Sequence, residues 1–183
     1  MGRKSQKASK FSNGMRRKIK INRQLQPDLV YQSPKVAKFI NYVMKRGKKS
    51  VARRVIYDSF AEIKEKMKND PLEVFEEALK NVGPHTELKS RRVGGANYQI
   101  PYEVNPRRRL TLAMRWILNA ARSKTGQPMA KRLAEEFIAA SKNQGEAIKK
   151  KDAVHKMAEA NRAFAHFARS ASRSAISGSR SAR

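Results

Sequence analysis

The chain has no cysteine. That excludes disulfides, zinc fingers of the cysteine type and thiol catalysis, and it fits a reducing compartment. Acidic residues are missing from both ends. Residues 1–26 hold nine Lys/Arg and no Asp or Glu, and residues 169–183 hold four Arg and no acid. No apolar run approaches the ~20 residues that cross a bilayer. No apolar segment of the signal-peptide kind follows the N-terminus, so secretion is not expected. The acid-free start shares its composition with organelle transit peptides but lacks their amphipathic period. Histidine occurs three times, as His85, His155 and His166. The last two stand eleven residues apart, three helical turns, too far to share one metal ion. No His-Glu-x-x-His, Gly-x-Ser-x-Gly or dinucleotide fingerprint occurs. Most acids lie near lysines or arginines at helical spacing, as on solvated faces. No enzyme activity, cofactor, metal or small-molecule substrate is expected.

What the chain has in excess is positive charge. Its 183 residues carry 42 Lys/Arg against 15 Asp/Glu, a net charge of +27. Removing the two ends leaves 29 bases and all 15 acids between residues 27 and 168, so the folded part is itself basic. So large an imbalance is offset by a polyanion, either nucleic acid or an anionic membrane surface. The length suits one domain with a proper core. Three regions follow: a basic N-terminal extension over 1–26, disordered when free; a helical domain over 27–168, entered at Pro27-Asp28; and a basic Ser/Arg tail over 169–183.

Between helical patterns lies Glu87-Leu-Lys-Ser-Arg-Arg-Val-Gly-Gly-Ala-Asn-Tyr-Gln-Ile-Pro-Tyr102, at the heart of a ribbon at about 86–105. Gly94-Gly95 predicts a two-residue hairpin turn. That turn pairs Arg91 with Tyr98, Lys89 with Ile100 and Glu87 with Tyr102. Pro101 then falls opposite Leu88 at a non-hydrogen-bonded position, where a missing N–H is tolerated. One face interleaves Arg91 and Lys89 with Tyr98, Ile100 and Tyr102. Such a face suits phosphates and stacked bases; ordinary cross-strand packing is the other reading.

Six helices surround the ribbon. The first starts with Ser33 as N-cap and Pro34 inside it, carries Val36, Phe39, Ile40, Val43 and Met44 inward, and stops at Gly47. Gly47-Lys48-Lys49-Ser50 reads as a short basic loop. It is not a nucleotide loop, because Tyr42 stands where that motif needs glycine. The second buries Ala52, Val55, Ile56, Phe60, Ile63 and Met67. Asp70-Pro71 opens the third, with Leu72, Phe75, Leu79 and Val82 inward and Gly83-Pro84 as the stop. Asn105-Pro106 opens the fourth, whose inner face is Leu110, Ala113, Met114, Ile117, Leu118 and Ala121. Arg108, Arg115 and Arg122 line its outer face, and Trp116 reads as a core anchor. After the turn at Thr125 to Pro128, the fifth buries Ala130, Leu133, Phe137 and Ala140. The sixth runs from about Glu146 to Phe167, with Val154, Met157, Ala158, Asn161, Phe164 and Ala165 inward. Asn161, inside an apolar stripe, requires a buried hydrogen-bond partner.

Two basic clusters oppose the helix dipole. Arg107, Arg108 and Arg109 fill the first turn of the fourth helix, and Lys149, Lys150 and Lys151 lie early on the sixth. Each exposed cation there costs roughly 0.3–1 kcal/mol. Backbone N–H groups at that end favour an anion, so a phosphate would account for the placement; a tolerated surface cluster is the alternative.

Four stretches together resemble small ribosomal subunit protein seven of the bacterial type. They are Leu88-Lys-Ser-Arg-Arg-Val-Gly-Gly95, Tyr98-Gln-Ile-Pro101, Leu112-Ala-Met-Arg-Trp-Ile117 and Met157-Ala-Glu-Ala-Asn-Arg-Ala-Phe-Ala-His166. The Gly47 to Ser50 loop matches as well, and the similarity runs from about Pro27 to Phe167. The N-terminal extension and the Ser/Arg tail depart from the family pattern. The resemblance implies a mainly α fold, a bundle of six helices with one protruding two-stranded β-ribbon between the third and fourth. It implies binding to the 3′ major domain of small-subunit (16S-type) rRNA, nucleation of head assembly, and a place at the tRNA exit site near the mRNA path. Expected partners are that rRNA, exit-site tRNA, mRNA and the neighbouring small-subunit proteins eleven and nine, without membrane. Expected rRNA contacts are Lys35, Lys48, Lys49, Lys89, Arg91, Arg92, Arg107, Arg108, Arg109, Arg115, Lys149, Lys150 and Lys151. The ribbon tip, Arg92, Val93, Gly94, Gly95, Ala96 and Tyr98, is expected near tRNA and mRNA. The expected location is the cytoplasmic ribosome, with an organellar ribosome as the alternative. On charge alone, a non-specific nucleoid-type binder is the rival function.

Overall fold

The computed structural model describes residues 25–166. The extension through residue 24, the last residues of the expected sixth helix and the Ser/Arg tail lie outside the described residues. The elements run α1 (Pro34–Val43), α2 (Lys49–Met67), α3 (Pro71–Val82), β1 (Thr86–Val93), β2 (Ala96–Glu103), α4 (Pro106–Ser123), α5 (Met129–Ser141) and α6 (Glu146–Ala160). A short 3-10 turn follows at Arg162–Ala165. Among the described residues, six α-helices with one antiparallel ribbon between the third and fourth make the mainly helical fold expected from the sequence.

Four phenylalanines from four helices make the centre. Phe39 of α1, Phe60 of α2, Phe75 of α3 and Phe137 of α5 are all fully buried. Their rings meet at centroid distances from 5.4 to 6.3 Å, mostly edge to face or tilted. That is the geometry the ring quadrupole prefers, worth about 0.5–1.5 kcal/mol per pair beyond area burial. Met114 and Ile117 of α4 close the cluster from another side. α5 packs against α2, α3, α4 and α6, so it is the hub of the bundle. α6 contributes only Ala147, Ile148 and Ala158 as buried groups and sits at the edge.

Local chemistry sets most boundaries as expected. Asp70 accepts a hydrogen bond from Leu72 N at 3.0 Å and Asn105 accepts one from Arg107 N at 3.2 Å, each capping a helix that begins with proline. Other ends differ. Ser33 occupies the N-cap position of α1 without a side-chain capping bond. α1 ends at Val43, because Met44 turns extended and Arg46 and Gly47 both take positive φ. Lys49 and Ser50 belong to α2, with Lys48 at its N-cap. α6 ends at Ala160, and Asn161 donates from Nδ2 to Met157 O at 2.9 Å. Its amide satisfies the end of a helix rather than a buried partner across the core. Met157, expected inward, is exposed, because past Ala158 the chain leaves the bundle for the ribbon.

Candidate nucleic-acid interface

The ribbon has the register the turn dictates. Arg91 pairs with Tyr98, Lys89 with Ile100, Leu88 with Pro101 and Glu87 with Tyr102. Gly94 and Gly95 both lie at positive φ, +57° and +90°, as a two-residue type I′ connection demands. The face carrying the cations and rings divides along its length. The Lys89 side chain reaches toward the root, where its Nζ lies 5.1 Å from the Tyr102 ring centre and 3.3 Å from Glu87 Oε1. Midway, Ile100 is fully buried. Toward the tip, the Tyr98 ring meets Phe164 of the 3-10 turn at 5.0 Å. The two aromatic and aliphatic groups expected to meet bases are therefore committed in part to α6 and the 3-10 turn, which pack on both strands. Lys89, Arg92 and the turn residues from Gly94 to Ala96 remain exposed.

The arginine cluster at the start of α4 has intramolecular acceptors for two of its three members. Arg108 Nε donates to Glu87 Oε2 at 3.1 Å, and Arg109 Nε donates to the Gly83 carbonyl at 3.1 Å. Arg107 is exposed. The dipole cost of three cations is thus partly offset within the chain. On α6, Lys149 pairs with Glu146 at 2.7 Å and Lys151 donates to the Asn81 carbonyl at 2.9 Å, while Lys150 is exposed. The Lys149 ammonium is held above its ordinary range, first by the hydrogen bond to Glu146 and then by that carboxylate's charge. Lys35 pairs with Glu76 at 2.7 Å. Arg115 is exposed and its guanidinium lies 5.7 Å from the Tyr42 ring centre. Lys48 and Lys49 are exposed at the start of α2. They stand beside a groove of about 410 Å³, which places Lys45, Lys48, Arg122 and Arg132 around Val51, Val55 and Met129. The sequence could not show that groove, because its walls come from α1, α2, α4 and α5.

Two further groupings escaped sequence reading. Glu136 is fully buried; its Oε1 accepts from Ala147 N at 3.0 Å at the N-terminus of α6. Its Oε2 lies 3.1 Å from Lys124 Nζ, an ion contact without hydrogen-bond geometry. The histidines that come together are His85 and His155, with ring centres 6.1 Å apart, rather than His155 and His166. Among the described residues no cluster of His, Cys, Asp or Glu could hold a metal ion, and no helix is long and apolar enough to cross a membrane.

A helical bundle with a net surplus of cations on its faces and a short basic ribbon belongs to the class of proteins that lie against a polyanion. Residues 15–162 match the model of the family described as Ribosomal protein S7p/S5e, and the chain belongs to that family. Curated relatives carry the name small ribosomal subunit protein uS7. That of Thermotoga neapolitana is 58% identical over 153 residues, covering 84% of this chain and 99% of the relative. Those of Teredinibacter turnerae and Chloroflexus aggregans are each 53% identical, over 152 and 154 residues. These alignments cover 83% and 84% of this chain and 97% and 98% of the two relatives. The names of these relatives place them in the small ribosomal subunit.

Proposed function

We propose that the chain is a structural component of the small ribosomal subunit that binds the 3′ major domain of 16S-type rRNA, nucleates assembly of the head and lines the tRNA exit site near the mRNA path. The observation that carries this reading is the family match over residues 15–162, reinforced by relatives covered almost end to end. Exposed and half-buried cations supply its electrostatics. Lys35, Lys48, Lys49, Lys89, Arg91, Arg92, Arg107, Arg108, Arg109, Arg115, Lys149, Lys150 and Lys151 contact rRNA phosphates and grooves. The tip from Arg92 to Ala96, with Tyr98, faces tRNA and mRNA. Proteins eleven and nine of the same subunit are its neighbours, and the working location is the cytoplasmic ribosome. The folded rRNA-binding domain spans about residues 27–168, with the basic extension and Ser/Arg tail on either side.

Chemical footprinting of full-length small-subunit rRNA with the purified chain tests the reading. Protections concentrated in the 3′ major domain are expected. Protections spread evenly over the whole rRNA would overturn it in favour of a non-specific nucleic-acid binder.

A further inference from the structure

A cleft of about 430 Å³ opens where the last turn of α3 meets the root of β1, the first turn of α4 and the middle of α6. Lys80, Arg109 and Lys151 stand on its walls, with Asp152 as their acidic counterpart there. Arg109 and Lys151 are held in place by carbonyls at the end of α3. The Arg109 Nε donates to Gly83 O at 3.1 Å and the Lys151 Nζ to Asn81 O at 2.9 Å. Each bond uses one N–H of a group that carries five or three. Gly83 makes room for this: a Cβ there would lie 2.8 Å from Arg109 Nε and 2.9 Å from its Cγ. The guanidinium is therefore positioned in advance by its neighbours.

Capping of α3 explains part of the cluster, since cations favour the carbonyl end of a helix. It does not balance the charge. Three cations face one carboxylate, and a helix C-terminus supplies only about half a negative charge. A surplus of more than one positive charge remains in a cleft that two imidazoles also line. The His85 backbone N–H donates to His155 Nε2 at 3.2 Å, which requires that nitrogen to be unprotonated. The neutral tautomer then carries its proton on Nδ1, a further donor for an oxyanion.

We propose that this cleft is a phosphate site, seating one backbone phosphate of RNA between Lys80, Arg109 and Lys151. The RNA occupant rests on the rRNA-binding reading above; the phosphate chemistry does not. Arginine offers paired N–H donors to phosphate oxygens and lysine a point charge. His155 then reports occupancy. Its imidazole is held below the ordinary range by burial first, then by the charges of Lys151, His85 and Arg109, with Asp152 opposing them. Lys80 adds a cation from α3 on the same cleft. A phosphate beside these groups offsets their charge and moves His155 back up.

The test uses the full chain in two arms. In the first, the His155 ring is titrated by NMR in chloride and in inorganic phosphate at equal ionic strength, with His155→Gln assigning the signal. Phosphate should raise its pKa by roughly half a unit or more, and exposed Lys80→Ala should reduce the rise. Gly83→Ala, which pushes Arg109 aside, should reduce it independently. In the second arm, Lys80→Ala should flatten the salt dependence of binding to a 3′ major domain transcript by roughly 0.7–0.9 in log–log slope, the share of one bound phosphate. An equal His155 titration in both buffers overturns the site. A phosphate-dependent titration with an unchanged RNA slope overturns the RNA occupant and leaves a site for free phosphate. If both arms succeed while wild type shows no preference for rRNA, the rRNA reading fails and the phosphate site stands.

Discussion

Replacing Glu136 tests how α6, with its lysines and His155, is fixed to the bundle. The carboxylate is fully buried, accepts from Ala147 N at 3.0 Å and lies 3.1 Å from Lys124 Nζ. Glu136→Ala removes a capping bond worth about 0.5–2 kcal/mol. It also leaves Lys124 without its buried counter-charge. Loss of one partner of a fully buried ion pair costs about 3–5 kcal/mol, but the Lys124 side chain is 34% exposed and can rehydrate. Removal of a buried charge itself returns some desolvation energy. The balance is a loss of about 2–3 kcal/mol, taken from the capping and half-buried-pair terms. Glu136→Gln keeps the shape and one acceptor, so it should cost about half as much, as for loss of a single charge-assisted bond. Urea unfolding of the full-length chain, followed by far-UV circular dichroism, reads both. A loss under about 0.5 kcal/mol for the alanine variant, the range of ordinary surface changes, would refute the anchoring role. So would a glutamine variant less stable than the alanine one. Gly145→Ala should be destabilising for the same reason, because its Cβ would come within 2.9 Å of Glu136 Oε1 at a φ of +98°.

Other outcomes follow from single interactions. Tyr57→Phe removes the hydroxyl donated at 2.8 Å to buried Asp28, and should lower the unfolding free energy by about 1–2 kcal/mol in a urea titration, the loss of one bond to a charged group. His155 is favoured neutral in the fold, so the unfolded chain binds more protons at this residue. Its contribution to stability is present above the unfolded value of about 6.5 and is lost as pH falls below that toward the lower folded value. His155→Gln should therefore reduce the loss of stability between pH 7.5 and 5.5, measured as a shift in urea midpoint; an equal loss would contradict the assignment. Replacing Arg107, Arg108 and Arg109 together by Ala should weaken RNA binding and flatten its salt slope by up to about 0.7–0.9 for each phosphate no longer bound. Arg107→Ala alone should give the RNA effect without loss of stability, because Arg108 and Arg109 keep their acceptors Glu87 and Gly83. An unchanged slope in the triple variant would remove the cluster from the interface.

The ribbon was legible because its constraints are local. Two adjacent glycines set the turn, and Pro101 then admits only registers that leave its missing N–H outside the ladder. Helix starts at Asp70-Pro71 and Asn105-Pro106 were legible for the same reason. The inner faces of α2, α3 and α4 followed from their period, although Ser59, Val74 and Leu112 are buried beside the expected residues. α6 was less legible: an apolar period extends past Ala158, but the chain turns there onto the ribbon, and Met157 is left outward. Glu136 resembles any salt-bridged surface acid until α6 is folded over it. The cleft at His85 and His155 joins residues 70 positions apart, so no local spacing signals it. The basic residues of the proposed interface were legible as charge; which of them the chain itself engages, as with Arg108 on Glu87, depends on tertiary placement.

The most direct test of the central claim is competition binding by the purified full-length chain. A labelled transcript of the 3′ major domain of small-subunit rRNA would compete at fixed near-physiological salt with unrelated RNA of equal length and with duplex DNA. A preference of roughly a thousandfold or more for the rRNA is expected, the lower range of specific over non-specific nucleic-acid complexes. Equal affinity for all three would contradict it and leave a polycation that binds nucleic acid by charge alone.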